Sequence, residues 1–169
     1  MRINFENAAE KLKIIENICQ KLGYEYDSVP KNELEIPTIL ISTEKNYKDN
    51  NITVSCNLMP MYLGGIDVLF LQYYTCLNEE IDQSRRKDVE EFIKRQNESF
   101  MIGNVLEFMD SVCMKHVLYL DPEEPFDEVL FARTLDIFTF QANALTKKLD
   151  DVISGEATVD KVISAGTFF

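Results

Sequence analysis

His116 is the only histidine of the chain and the first residue to consider for acid-base or metal chemistry. In strand phase it lies with Val112, Met114 and Leu118, so it interrupts an otherwise apolar alternation. A general base or a zinc ligand needs partner side chains, and no cysteine or carboxylate lies near His116 at a ligand spacing. The sequence therefore favours a structural or exposed histidine and predicts no catalytic residue, no metal site and no cofactor.

Two groups of charged residues could hold ions. Five carboxylates surround two prolines, at Asp121, Glu123, Glu124, Asp127 and Glu128. This segment lacks the Asp-x-Asp-x-Asp-Gly framework of a calcium loop, and negative charge at the start of a helix stabilises its first turn. The basic run 85–87 has acidic neighbours on both sides, so it predicts an ordinary solvated helix face. The glycines match neither a dinucleotide-binding nor a phosphate-binding loop.

The composition argues against several classes of partner. The chain has 17 basic and 29 acidic residues among 169, a formal net charge of -12, which is unfavourable toward phosphate backbones and anionic membranes. No apolar run approaches the ~18 residues of a membrane span, and the N-terminal segment lacks the apolar core of a signal peptide. The 4 cysteines include no Cys-x-x-Cys pair and predict buried free thiols. We therefore expect a cytoplasmic protein that binds neither nucleic acid nor membrane.

An apolar segment between two predicted strands is the least ordinary feature of the chain. Met59, Met61 and Tyr62 lie in a predicted connection, where residues are normally polar. Methionine and aromatic side chains at a surface are typical of sites that bind other chains, and the alternative is that they fold back over the core. Phe168 and Phe169 raise the same two alternatives at the end of the chain. We predict Met59, Met61 and Tyr62 as protein-binding residues.

Apolar residues at alternating steps of three and four predict three helices. The longest covers residues 126–153. Its apolar stripe consists of Phe131, Leu135, Phe138, Ala142, Leu145, Leu149 and Val152. A first helix is predicted from the N-cap Asn4 to Leu22, and a second from Asp82 or Ser84 to Asn97.

Five strands are predicted, over residues 33–42, 51–58, 66–77, 101–109 and 112–120. The third is almost continuously apolar and predicts a central strand, whereas Pro37 argues for an edge position of the first. The sequence thus predicts an α+β fold with a five-stranded, mainly antiparallel sheet in the order α-β-β-β-α-β-β-α, and the long C-terminal helix packed on the sheet. We expect one domain over residues 1–155 and a C-terminal tail, 156–169, with room for a short helix.

Five features of the chain form one pattern: the order of elements, the segment Phe92-Ile-Lys-Arg-Gln-Asn97, the hairpin 101–120, the acidic proline-containing loop and the long final helix. This pattern resembles the YbjN-like family and the related class I type III secretion chaperones. The resemblance is clearest over residues 88–155. It implies a secretion-chaperone-like α+β fold and a small acidic bacterial protein of the cytoplasm, without catalytic residues and often dimeric. It also implies that the protein binds another polypeptide, which in the chaperone branch wraps an extended segment around sheet and helix surfaces.

The leading prediction is a non-enzymatic protein-binding module, chaperone-like or regulatory, that acts through an apolar sheet or loop surface. Its partner would be another polypeptide, and a homodimer is also expected. One alternative is a dedicated type III secretion chaperone for an effector. A second is a small-ligand binder or enzyme that uses His116 with carboxylates assembled by the fold. A third is a structural subunit whose strand 66–77 is covered by its own dimer mate.

Overall fold

The structure, a computed structural model, describes residues 6–29, 36–78 and 81–166. The predicted N-cap Asn4 and the aromatic pair Phe168 and Phe169 lie outside the described residues. The helices are α1 (Glu6–Leu22), α2 (Arg86–Asn97), α3 (Glu128–Ser154) and α4 (Val159–Ser164), and a single 3-10 turn, Gln83–Arg85, precedes α2. The strands are β1 (Glu25–Val29), β2 (Thr38–Lys45), β3 (Asn51–Leu63), β4 (Ile66–Asn78), β5 (Asn104–Phe108) and β6 (Ser111–Leu120).

The α+β class is confirmed, and the antiparallel sheet has six strands where five were predicted. Their order is β1-β2-β3-β4-β6-β5, so β4 is a central strand, as predicted. The additional strand is β1, which pairs with β2 from Glu25 opposite Ser42 to Val29 opposite Thr38. No strand was predicted over these residues, and the structure shows that they are mostly exposed.

The predicted edge position of the first strand is wrong, since β2 lies between β1 and β3. Pro37 stands one residue before β2 begins, so its missing amide removes no hydrogen bond from the strand. Its carbonyl oxygen accepts a hydrogen bond from the Leu58 amide at 2.9 Å.

The first compact unit of the chain contains Met1–Thr43, Thr53–Tyr73 and Val117–Asp136. Within it, α1 packs against β1. The buried ring of Tyr73 on β4 stacks on that of Phe131 at the start of α3, with centroids 5.8 Å apart. This contact fixes the first turns of α3 on the buried face of β4.

The second compact unit contains Glu44–Ile52, Tyr74–His116 and Ile137–Phe169. Here α2 packs against β5 and α4. The side-chain amide of Asn97, at the end of α2, pairs with both the amide and the carbonyl of Val105, each at 2.8 Å. Because β5 is the last strand of the sheet, this pairing satisfies main-chain groups on an otherwise open edge.

The apolar stripe of the long helix is confirmed, because all seven of its residues are buried to 1% exposure or less. Burial of one large apolar side chain contributes about 1.5 to 3 kcal/mol, so this stripe is a major source of stability. On α1, Ala8, Ile15 and Cys19 are fully buried, whereas Leu22 at its end is 53% exposed. The α4 helix lies within the predicted tail.

Candidate functional site

Four exposed apolar side chains lie at the end of the β3–β4 hairpin. We call these four residues the hairpin tip: Met61 (42% exposed), Tyr62 (38%), Leu63 (47%) and Ile66 (64%). The segment was predicted as a connection after a strand ending at Leu58, but β3 continues to Leu63. The predicted site residues Met61 and Tyr62 therefore lie on a strand, β3, that neighbours β4 in the sheet.

The Gly64-Gly65 turn explains why the strands reach so far. Both glycines have positive φ, 61° and 94°, as a two-residue hairpin of the right-handed twist requires. Met59, the third predicted site residue, is only half-buried and follows the fully buried Leu58. Because successive side chains of a strand point to opposite faces, Met59 lies on the sheet face opposite the core.

A small cavity of about 40 Å³ lies beside the hairpin tip. Its lining includes Pro60, Met61, Val68 and Pro122, together with the acidic Asp67 and Glu123. The cavity thus joins the hairpin to the acidic loop, residues 121–127, which is distant in sequence. All of these residues belong to the first compact unit.

Three hydrogen bonds hold the acidic loop in place. The ammonium of Lys11 on α1, only 7% exposed, donates to the Glu124 carbonyl at 2.9 Å. The Asp121 carboxylate accepts from the Glu123 amide at 2.9 Å, and the Asp127 carboxylate accepts from the Leu130 amide at 2.8 Å. Asp127 therefore caps α3, which supports the prediction that this acidic segment stabilises the helix start.

The two carboxylates of the cavity are available for a ligand. Asp67 and Glu123 are both exposed. Within the described parts of the chain, neither carboxylate takes part in a hydrogen bond or ion pair. The cavity consequently combines polar and apolar walls with two carboxylates that no described residue pairs with.

The same unit has a second apolar surface, which we call the open face. Tyr119 and Val117 of β6 are 58% and 40% exposed and stand two residues apart, so they share one side of the strand. The Phe70 ring of β4 meets the Tyr119 ring edge-on at 6.2 Å. The open face therefore spans neighbouring strands and could pack against another protein.

The structure gives His116 no assembled catalytic group among the described residues. It lies half-buried on β6, and burial lowers the pKa of its imidazole, so the ring is neutral at neutral pH. It is not among the lining residues of the cavities of about 40, 270 and 400 Å³. The described residues also contain no group of three or more metal-ligating side chains placed to hold an ion.

The basic run is occupied by contacts within the second unit. Arg85 donates to the Val152 carbonyl at 2.8 Å and pairs with Asp88 at 3.0 Å. Arg86 pairs with Glu107 and Asp110 near the β5–β6 turn. These contacts agree with the predicted ordinary role of the run and give both arginines a structural function.

Three of the four cysteines are buried, as predicted, and Cys76 is exposed, which corrects the prediction for that residue. Burial raises the pKa of the Cys19 thiol to about 11 and also raises the pKa of the Cys56 thiol. Both thiols are therefore protonated at neutral pH and unreactive. No helix of the described residues has the length and apolar content needed to cross a bilayer.

No protein-family model, curated protein or solved structure matches the chain. The class of protein is therefore given by the fold, an α+β domain architecture with a six-stranded antiparallel sheet and a long C-terminal helix. Asp67 and the cavity were not predicted from the sequence. The Gly64-Gly65 pair between two apolar runs was the signal that could have revealed the long hairpin.

Proposed function

We propose that the chain is a non-enzymatic polypeptide-binding module, of the YbjN-like and secretion-chaperone-like kind, whose binding surface is the hairpin tip. The observation that carries the proposal is the exposure of four large apolar side chains, at positions 61–63 and 66, on the two sides of one tight turn. Clustered apolar surface of this kind marks interaction sites, whereas single exposed apolar residues are ordinary. Methionine and tyrosine are well suited to such a surface because they adapt to, or anchor in, a partner.

The pairing of the two hairpin strands supports the same function. A partner that binds residues on a paired strand does not have to order a loop, so less conformational entropy is lost on binding. The acidic loop beside the tip and the net charge of -12 favour a basic polypeptide and repel nucleic acid. These features fit a chaperone-like or regulatory partner of other proteins in the cytoplasm.

The test is the double substitution Met61→Ser and Tyr62→Ser in the tagged full-length chain. Proteins retained from a lysate of the source cell are compared between this variant, the wild type and a control, Val129→Ser with Leu130→Ser. The control removes two apolar side chains of α3 that are 69% and 48% exposed in the same compact unit. Surface changes of this kind typically alter stability by less than about 0.5 kcal/mol each, so melting temperatures should remain within about 4 °C of wild type.

The expected result is one stoichiometric partner retained by the wild type and the control and lost from the tip variant. A wild-type bait that retains no partner, or a tip variant that retains it unchanged, would overturn the proposal. Unfolding of the tip variant would show that Met61 and Tyr62 belong to the core. The narrower alternative, a dedicated type III secretion chaperone, requires that the retained partner be a secreted effector.

A second candidate is self-association through the open face. The observation in its favour is the exposure of Tyr119 and Val117 beside Phe70, which leaves aromatic surface on the middle of a sheet. A homodimer would cover this surface, as the alternative of a structural subunit requires. Light scattering after size exclusion tests it: a dimer that becomes a monomer in Val117→Ser with Tyr119→Ser supports this candidate, and a wild-type monomer excludes it at the concentration used.

A further inference from the structure

We infer that the cavity beside the hairpin tip receives the end of a lysine side chain from the bound polypeptide. This inference rests on the proposed function, because it names the chemistry of the partner at the same surface. It is carried by three observations: the size of the cavity, the mixed polar and apolar character of its walls, and the two exposed carboxylates among its lining residues.

The cavity has the size of a chain end and is too small for a whole ring. A site needs about 10 to 15 Å³ of this measure for each water-sized group, so 40 Å³ holds about three such groups. The last three heavy atoms of lysine, Cδ, Cε and Nζ, correspond to that number. A planar guanidinium has four heavy atoms in a rigid fork and fits this space less well.

The walls suit the two ends of this fragment. Pro60, Met61 and Pro122 offer carbon and sulfur atoms to the methylene groups, which long basic side chains place along apolar surface. Asp67 and Glu123 offer carboxylate oxygens to the ammonium, and neither is engaged by another described residue. An anionic side chain would be repelled, and a purely apolar one would leave the two carboxylates without a partner.

The cavity also explains how two segments distant in sequence act at one surface. Asp67 comes from the β4 start next to the hairpin turn, and Glu123 comes from the acidic loop. The Lys11 bond to the Glu124 carbonyl fixes the loop to α1, whose residue Asn7 also lines the cavity. The charge selectivity of the tip therefore depends on that loop, while its apolar affinity depends on Met61 and its neighbours.

The experiment uses the immobilised full-length chain and a random-peptide display library as the probe. Peptides that are enriched on the wild type are synthesised with a fluorophore, and their affinities are measured by anisotropy. The variants are Asp67→Asn with Glu123→Gln, the tip variant Met61→Ser with Tyr62→Ser, and a control, Glu25→Gln with Asp27→Asn. The control removes two exposed carboxylates of β1 in the same compact unit, so its net charge matches that of the cavity variant.

We expect enriched peptides that share a lysine flanked by apolar residues. Asp67→Asn with Glu123→Gln should weaken their binding roughly tenfold, since each partly exposed ion pair contributes up to about a factor of five. The control should weaken it less than about twofold. Replacement of the peptide lysine by norleucine, which keeps the stem and removes the charge, should weaken binding to the wild type and have little further effect on the cavity variant.

The outcomes separate this inference from the proposed function. A library that yields no binder, or binders that are insensitive to the tip variant, would overturn both. Binders that depend on the tip but contain no lysine would overturn the inference alone. Binders that lose equal affinity in the cavity variant and in the β1 control would also overturn it, because the effect would then come from net charge.

Discussion

The hydrogen bond from Lys11 to the acidic loop offers a direct test of how the candidate site is positioned. Lys11 is 7% exposed as a whole residue, and its ammonium lies 2.9 Å from the Glu124 carbonyl oxygen. Lys11→Met keeps most of the apolar stem of the side chain and removes the ammonium. The carbonyl then loses its donor, and the loop loses its only described bond to α1. We expect lower stability and a more mobile loop.

The magnitude follows from the burial of this bond. Hydrogen bonds to charged groups contribute about 1.5 to 3 kcal/mol, and the restored packing of methionine offsets part of the loss. We therefore expect a loss of about 1.5 to 2 kcal/mol in the free energy of unfolding. For a chain of this size each kcal/mol lowers the melting temperature by about 2 to 4 °C, so the expected decrease is roughly 4 to 7 °C.

The assay is thermal unfolding followed by circular dichroism, together with amide hydrogen exchange at Glu123. The Glu123 amide donates to the Asp121 carboxylate within the acidic loop, so its protection reports the order of that loop. Lys13→Met is the matched control, because Lys13 lies on the same helix, carries the same charge and is exposed. Equal melting temperatures and equal exchange in the Lys11 and Lys13 variants would refute the reasoning.

Three further results are expected. Burial raises the pKa of the Asp150 carboxyl, but hydrogen bonds from Lys48 and Tyr47 outweigh burial and hold it below its usual value. Asp150→Asn should therefore lower the melting temperature at neutral pH. The difference from wild type should shrink as the pH falls below about 4, because a carboxyl with a lowered folded-state pKa loses its stabilising contribution as the pH falls through that pKa. A difference in melting temperature that stays constant with pH would contradict this. A thiol reagent should label one cysteine of the folded protein rapidly, Cys76, and Cys76→Ser should abolish that reaction, whereas rapid labelling of a second cysteine would disagree with the burial. Met109 is 82% exposed and has a φ of 49°, which asparagine adopts at lower cost. Met109→Asn should therefore raise the melting temperature by about 1 to 4 °C. A lower melting temperature would mean that the methionine makes a stabilising contact.

The elements that could be predicted from sequence are those whose burial follows a local period. The stripe of α3 repeats over 27 residues, and its seven apolar positions identify one face without knowledge of the rest of the chain. Strand β3 alternates from Ile52 to Leu58, and all four apolar positions of that run are buried. In both cases the side of the element that meets the core can be read from a short window.

Strand β1 could not be predicted because only Tyr26 and Val29 of its five residues favour a strand, and they do not alternate. Its residues are mostly exposed, and its order comes from pairing with β2 and from packing against α1. The end of β3 was missed for a related reason. Pro60 and the unbroken apolar run around it hid the alternation, so the strand was ended five residues too early.

The candidate site also has one part that could be predicted from the sequence and one part that could not. Met61 and Tyr62 could be singled out because apolar residues at a chain reversal are unusual, and this is a property of composition. Asp67 and Glu123 could not be assigned to them, because 56 positions separate the two carboxylates in the sequence and only the fold places both at one cavity. The acidic loop had an adequate local explanation as a helix start, which concealed its contribution to the surface.

The net charge of the chain affects whether the hairpin tip prefers a basic polypeptide or a second copy of the chain. Two copies with a net charge of -12 repel each other, and the repulsion is strongest where acidic side chains surround the contact, as Asp67 and Glu123 do at the tip. The open face carries Tyr119 and Val117 with no carboxylate between them on that strand. We therefore propose that self-association uses the open face, while the hairpin tip, with its apolar surface and neighbouring carboxylates, favours a basic polypeptide over a second copy. On this proposal the two surfaces serve different partners, so a homodimer and a bound polypeptide are compatible.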